Sequence, residues 1–184
     1  MSVNNPTCPT GCDSYLVAPN FDYCDPDVQF GEIDHIYLMA QEGANLANWE
    51  SLAVWTARLA LDPTEDTDAI IDLTVIGDQP VAESEEIEIS EGRKIHSPSQ
   101  FVINFEIDDV SDENYELMRL LECNFLVRAW YSANETLFGG NTGIECTLHA
   151  KYQIERGRRS LQKIVGTMKW ESKYSPERTT NPMV

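Results

Sequence analysis

The side chains best suited to chemistry lie near the start of the chain. Cys8, Cys12 and Cys24 cluster, and His35 follows them. Thiolates and imidazole are zinc ligands, and a zinc site takes about four of them in tetrahedral array. The spacing CPTGC, then Cys24, then His35 matches no zinc motif, so free or buried thiols are the plainer expectation. Cys123 and Cys146 bring the cysteines to five, an odd number. The N-terminus MSVNNPTCPTGC has neither a basic stretch nor an apolar one of the kind that directs secretion. Mainly free thiols in a reducing compartment are expected.

Carboxylates offer a second possibility. Glu65, Asp66 and Asp68 stand in the run TEDTD, but the run lacks the alternating-Asp, Gly and distal Glu register of a calcium loop. A solvated acidic loop is expected. The histidines number three, and His35 and His149 fall in strand patterns where a structural role is expected; the third is His96. The chain has no nucleophile elbow, phosphate loop, zincin helix or dinucleotide fingerprint. The expectation is a non-enzymatic protein without a cofactor. Trp49, Trp55, Trp130 and Trp170 read as core or interface anchors.

Charge gives more. The 184 residues carry 31 Asp+Glu against 13 Lys+Arg, a net charge of −18. Such a balance argues against wrapping duplex DNA, which needs a basic surface, and against docking on anionic lipid. The deficit is one-sided. Residues 1–92 hold nineteen acids and a single base, Arg58, whereas residues 93–184 hold twelve of each. Arg156, Arg158 and Arg159 form the one dense basic cluster. Opposite-signed patches on one chain suit contact between copies, so these arginines and the β-strand acids Glu85, Glu86 and Glu88 are the expected subunit interface.

The elements that position these groups are mostly strands. Residues 1–31, broken by Pro6, Pro9, Pro19 and Pro26, read as an extended arm with apolar anchors such as Tyr15, Phe21 and Phe30. IDHIYLM (33–39) reads as a strand. Leu46 to Leu61 reads as a helix with Leu46, Trp49, Ala53 and Ala60 at helical spacing, Trp55 fitting less easily. Strands are expected at 69–76, 85–90, 93–96 and 100–107, with a turn at 77–80. Phe101, Ile103, Phe105 and Ile107 share one face of the last of these strands. Ser111 to Cys123 is predicted to be a helix, capped by Ser111 and Asn124 and striped by Leu117, Met118, Leu121 and Tyr115. Strands at 125–131, 143–154 and 161–170 follow, with a glycine-rich hairpin loop at 134–141. Residues 174–184 read as an extended tail. The expected fold is mainly β, an antiparallel sandwich or barrel with one or two helices and extended arms, its β-rich domain spanning 32–173.

This order of elements resembles phage tail tube proteins and their relatives at the neck. β segments lead into a central helix (DENYELMRLLEC), a glycine-loop hairpin (ANETLFGGNTG) and closing strands (ECTLHAKYQI and KIVGTMKW). The C-terminal KWESKYSPERTTNPMV is similar to the ends of virion proteins from phages of Bacteroidetes-type hosts. The resemblance covers about residues 65–184; the N-terminal arm lies outside it. It implies a virion protein assembled in the host cytoplasm, whose rings, commonly of six subunits or of twelve, stack with other tail or neck proteins. DNA would pass without specific binding, and an acidic lumen would repel it. Two alternatives stand beside this one. One is a capsid decoration or fibre-attachment protein, and the other a calcium-assisted or carbohydrate-binding β-sandwich module.

Overall fold

The computed structural model describes residues 31–84, 86–90, 93–122, 126–154, 156 and 161–184. In chain order the elements are β1 (Ile33–Ala40), α1 (Leu52–Leu59), β2 (Ile70–Asp78), β3 (Glu86–Ser90), β4 (Arg93–His96), β5 (Ser99–Ile107) and α2 (Asp112–Leu121). They continue with β6 (Leu126–Ala133), β7 (Thr136–Phe138), β8 (Ile144–Ile154), β9 (Gln162–Ser172) and β10 (Arg178–Thr180).

All pairings are antiparallel. The main sheet runs β1-β2-β5-β9-β8-β6-β7-β10, and β1 also pairs with β6. That extra pairing closes β1, β2, β5, β9, β8 and β6 into a six-stranded barrel, leaving β7 and β10 as an appended edge. Two seams of the barrel are short. β2 meets β5 only at Ile76–Asp78, and β8 meets β6 only from Ile144 to Thr147. Between the seams the wall behaves as two facing sheets. β3 and β4 make a separate two-stranded ladder.

The expected alternation places the core. Phe101, Ile103, Phe105 and Ile107 on β5 face inward with Leu148 and Ala150 of β8 and Ile164 and Met168 of β9. Period-two spacing is what a wall wet on one face requires. β1 departs from it, with Ile36, Tyr37, Leu38 and Met39 all buried. Ile36 and Leu38 enter the barrel, while Tyr37 and Met39 join a second core outside it with Leu46, Trp49, Trp55, Trp130 and Leu137. A strand covered on both faces reads as a continuous apolar run, which is why IYLM does not alternate.

The first predicted helix is much shorter in the structure, with α1 only Leu52–Leu59. The expected stripe is also replaced: Ala53 and Ala60 are exposed, and Trp55 is the side chain α1 buries. Leu46 and Trp49 are buried from a non-helical segment. Their backbone amides serve a tertiary contact instead of a helix, since Leu46 N–H donates to the Asn141 carbonyl at 2.9 Å and Trp49 N–H to Asn141 Oδ1 at 3.0 Å. Backbone donors satisfied from elsewhere remove the advantage of helix formation.

Smaller differences have similar causes. β2 runs through the predicted turn at 77–80 as far as Asp78, because Gly77 and Asp78 pair with β5. The glycine-rich loop contains β7, and the C-terminal tail adds β10 to it through Arg178–Phe138 and Thr180–Thr136. α2 buries Met118 and Leu121, as its stripe predicts, while Tyr115 is exposed and meets Tyr152 edge-on at 5.6 Å. Ser111 precedes α2 but its side chain makes no cap bond. Asp109 organises this start instead, its carboxylate accepting from Ser111 N–H at 3.1 Å and its carbonyl from Asn114 Nδ2 at 2.9 Å. The predicted cap at Asn124 lies outside the described residues.

Candidate interaction surfaces

In an antiparallel ring the strand termini alternate, so the barrel has two distinct ends. At one end β1 and β5 begin, β2 and β9 finish, and the β3–β4 ladder is rooted between β2 and β5. At the other end β1, β5 and β8 finish and β2 and β9 begin. α2, which follows β5, packs there against β8, and the β8–β9 hairpin turns there.

The residues expected at a subunit interface divide between these ends. Arg156 is exposed at the β8–β9 turn, whereas Arg158 and Arg159 lie outside the described residues. Glu86 and Glu88 are exposed on β3 at the opposite end, and Glu85 lies outside the described residues. The β3–β4 register sets Glu86 opposite His96 and Glu88 opposite Lys94. These acids therefore have basic residues across their own ladder.

Of the weak metal candidates, Cys8, Cys12 and Cys24 lie outside the described residues. His35 sits on β1, where its Nδ1 is 2.8 Å from Asp72 Oδ1 and its ring stacks 5.8 Å from Tyr37. Among the described residues no three His, Cys, Asp or Glu side chains gather as metal ligands do.

The acidic loop after α1 is organised by its own backbone. Asp62 Oδ1 accepts from Thr64 N–H and Oγ1 at 2.9 and 2.7 Å, and Asp66 Oδ1 accepts from Asp68 N–H at 2.8 Å. The Thr64 bonds hold the Asp62 carboxyl below its usual range. Asp68 is held low by the Ala44 N–H, which donates to it at 2.5 Å, and by its ion pair with Arg58. Asp62, Glu65 and Asp66 are exposed. Glu65 and Asp66 are solvated as the residue pattern suggests, whereas Asp68 is half-buried in its ion pair with Arg58.

A buried polar cluster lies on the outer side of β1, a feature the sequence does not signal. Ser132 Oγ donates to Asp34 Oδ1 at 2.5 Å, and the Tyr37 hydroxyl bonds with Ser132 and with Asn181 of the C-terminal segment. Asp34 stands at a register shift in β1, between Ile33 and His35. Burial, with the charges of Asp72 and Asp34, pushes the Tyr37 hydroxyl up to about 12. Burial likewise pushes the Cys146 thiol up to about 12, so it stays protonated and a poor nucleophile near neutral pH.

Recesses open on the surface among the described residues. A cleft of about 290 Å³ lies where β8 leaves β9 for β6, with Cys146 and Trp170 at its base and Glu145, Lys169 and Glu171 around it. A polar recess of about 230 Å³ lies between β7 and β10. An apolar groove of about 160 Å³ lies beside α2, lined among others by Leu38, Ile71, Leu117, Leu120 and Val127. Large apolar side chains also stand in water on both hairpins: Ile87 on β3, Ile154 at 70% exposure and Leu161 at 77%.

No protein-family model, curated protein or solved structure matches this chain.

Proposed function

We propose that this chain is a structural subunit of a bacteriophage virion, associating with its own copies into rings of a tail tube or neck channel through which DNA passes. The observation that carries the reading is the pair of hairpins at opposite barrel ends, each presenting at least one large apolar side chain to solvent. Ile154 and Leu161 flank the exposed Arg156, and Ile87 lies between Glu86 and Glu88. Apolar groups on projecting elements mark contact surfaces. The closed antiparallel barrel with one helix across its end agrees with the element order of the tail tube resemblance. The net charge of −18 supports a channel that lets DNA pass without holding it. A ring needs a head-to-tail contact between two different patches of each copy, and a chain with an acidic first half and a basic late hairpin carries two such patches.

Electron microscopy and light scattering of the purified protein, with immunogold labelling of virions, test the proposal. Rings, and label on the tail or neck, are expected. A chain that stays monomeric at every concentration and is absent from particles would overturn it. Label spread over the capsid would assign the chain to decoration instead.

A further inference from the structure

The β8–β9 hairpin and the groove beside α2 occupy the same barrel end on opposite walls. The groove lies against β1, β2 and the start of β6, while β9 stands three strands from β1 either way round the ring. The hairpin offers two aliphatic side chains in water, Ile154 and Leu161, with Arg156 exposed between them. The groove offers an apolar trough with Leu120 58% exposed at its mouth. Its volume, about 160 Å³, is below the roughly 300–1,000 Å³ of small-molecule pockets. That size suits inserted aliphatic side chains. Asp66 lines the groove, and Asp62 and Glu65 stand exposed on the same loop. The hairpin and the groove thus match in apolar character and are opposite in charge.

We infer that the β8–β9 hairpin of one copy seats Ile154 and Leu161 in the α2–β2 groove of the next copy, with Arg156 against the acidic loop at Asp62, Glu65 and Asp66. This contact rests on the reading that the chain assembles with itself, and it names the surfaces that meet. Side-by-side placement suits this arrangement, because donor and acceptor lie at one barrel end on opposite walls. Each copy then gives a hairpin to one neighbour and a groove to the other, the heterologous contact that closes rings. The β3 glutamates are not the receiving acids in this arrangement. They are rooted at the far end, where the ladder register sets them opposite His96 and Lys94.

The test uses the full-length chain carrying the photoreactive residue p-benzoylphenylalanine in place of Leu161, made as an equal mixture of ¹⁴N and ¹⁵N copies. Illumination followed by mass spectrometry should give mixed-isotope cross-links to 63–71 or 117–121. Leu161→Asp and Leu120→Asp should each weaken self-association at least tenfold. Both sites are on the surface, so circular dichroism melts should stay close to the parent. Mixing these two variants should yield a dimer that cannot grow, since one intact hairpin meets one intact groove. Oligomers whose cross-links fall elsewhere, or a Leu120→Asp chain that assembles like the parent, overturn the hairpin–groove contact while leaving self-assembly standing. A parent chain that never associates overturns both.

Discussion

The indole Nε1 of Trp130 donates a hydrogen bond to the carbonyl of Gly140 at 2.7 Å. This bond fastens β6 to the glycine loop after β7 and completes an aromatic line through the outer core. Trp130 meets Trp55 edge-on at 5.5 Å, and Trp55 Nε1 donates to the Trp49 carbonyl at 2.7 Å. Three of the four tryptophans thus lie in one cluster. The fourth, Trp170, stacks on Phe101 at 5.1 Å inside the barrel.

The loop tolerates no side chain where it wraps Trp130. Gly139 and Gly143 both adopt positive φ, and a Cβ on either would overlap the indole. Gly143→Ala is expected to cost about 1–3 kcal/mol, from backbone strain and the displaced ring. Trp130→Phe, which keeps a ring but loses the donor, should cost on the order of 1–3 kcal/mol by leaving Gly140 without its partner. Urea denaturation followed by tryptophan fluorescence and circular dichroism measures both.

The C-terminal segment is expected to stabilise the outer core. β10 pairs with β7, Asn181 is buried against Tyr37, and Met183 packs against the tryptophan cluster. Asn181→Ala should lower stability by about 1–3 kcal/mol, because the Tyr37 hydroxyl loses a partner in a dry site. Deleting 178–184 should lower it further. Thermal melts of the two variants check the order, and equal melting temperatures for parent and deletion would refute it.

Asp68 sets an acid limb of stability. Its carboxyl is held below the usual range by the Ala44 N–H and by Arg58, so the folded state binds its proton later than the unfolded chain. The stabilisation is present above the unfolded value of about 4 and is lost as pH falls through the folded value. Melting temperature should therefore drop as pH is lowered below about 4. Asp68→Asn should be less stable at neutral pH and show a flatter acid limb in the same melts.

Tyr37 gives the opposite limb. Its hydroxyl is raised to about 12, so the neutral form is favoured in the folded state. Stability from this group is complete below the unfolded value of about 10 and is lost as pH rises toward the folded one. Tyr131 is raised in the same direction by burial. Absorbance at 295 nm should show tyrosines that ionise late and together with unfolding. Tyr37→Phe should remove part of that late step.

Cys146 should resist alkylation in the native protein. It is 2% exposed and its thiol stays protonated at neutral pH. Iodoacetamide labelling mapped by mass spectrometry should leave it unmodified until denaturant is added.

Much of the fold was legible because strands announce themselves locally. Alternation in QFVINFEI named the inward face of β5, and β3–β4 followed from two adjacent short runs. The second helix came from its Met118–Leu121 stripe. The first was overextended because helical spacing says nothing of a partner for the backbone. Asn141, about ninety residues away, takes the amides of Leu46 and Trp49.

The chain's own residues determined a mainly β architecture, the charge asymmetry and the one basic cluster, since each depends only on composition and near-neighbour periodicity. Tertiary structure decided the rest. Closure through β1–β6, the second core outside the barrel and the Tyr37–Ser132–Asn181 cluster all join residues distant in sequence. So does the placement of Arg156 and the β3 glutamates at opposite barrel ends. Strand order is settled by burying the faces of all six strands at once, a collective condition that no local window of sequence contains.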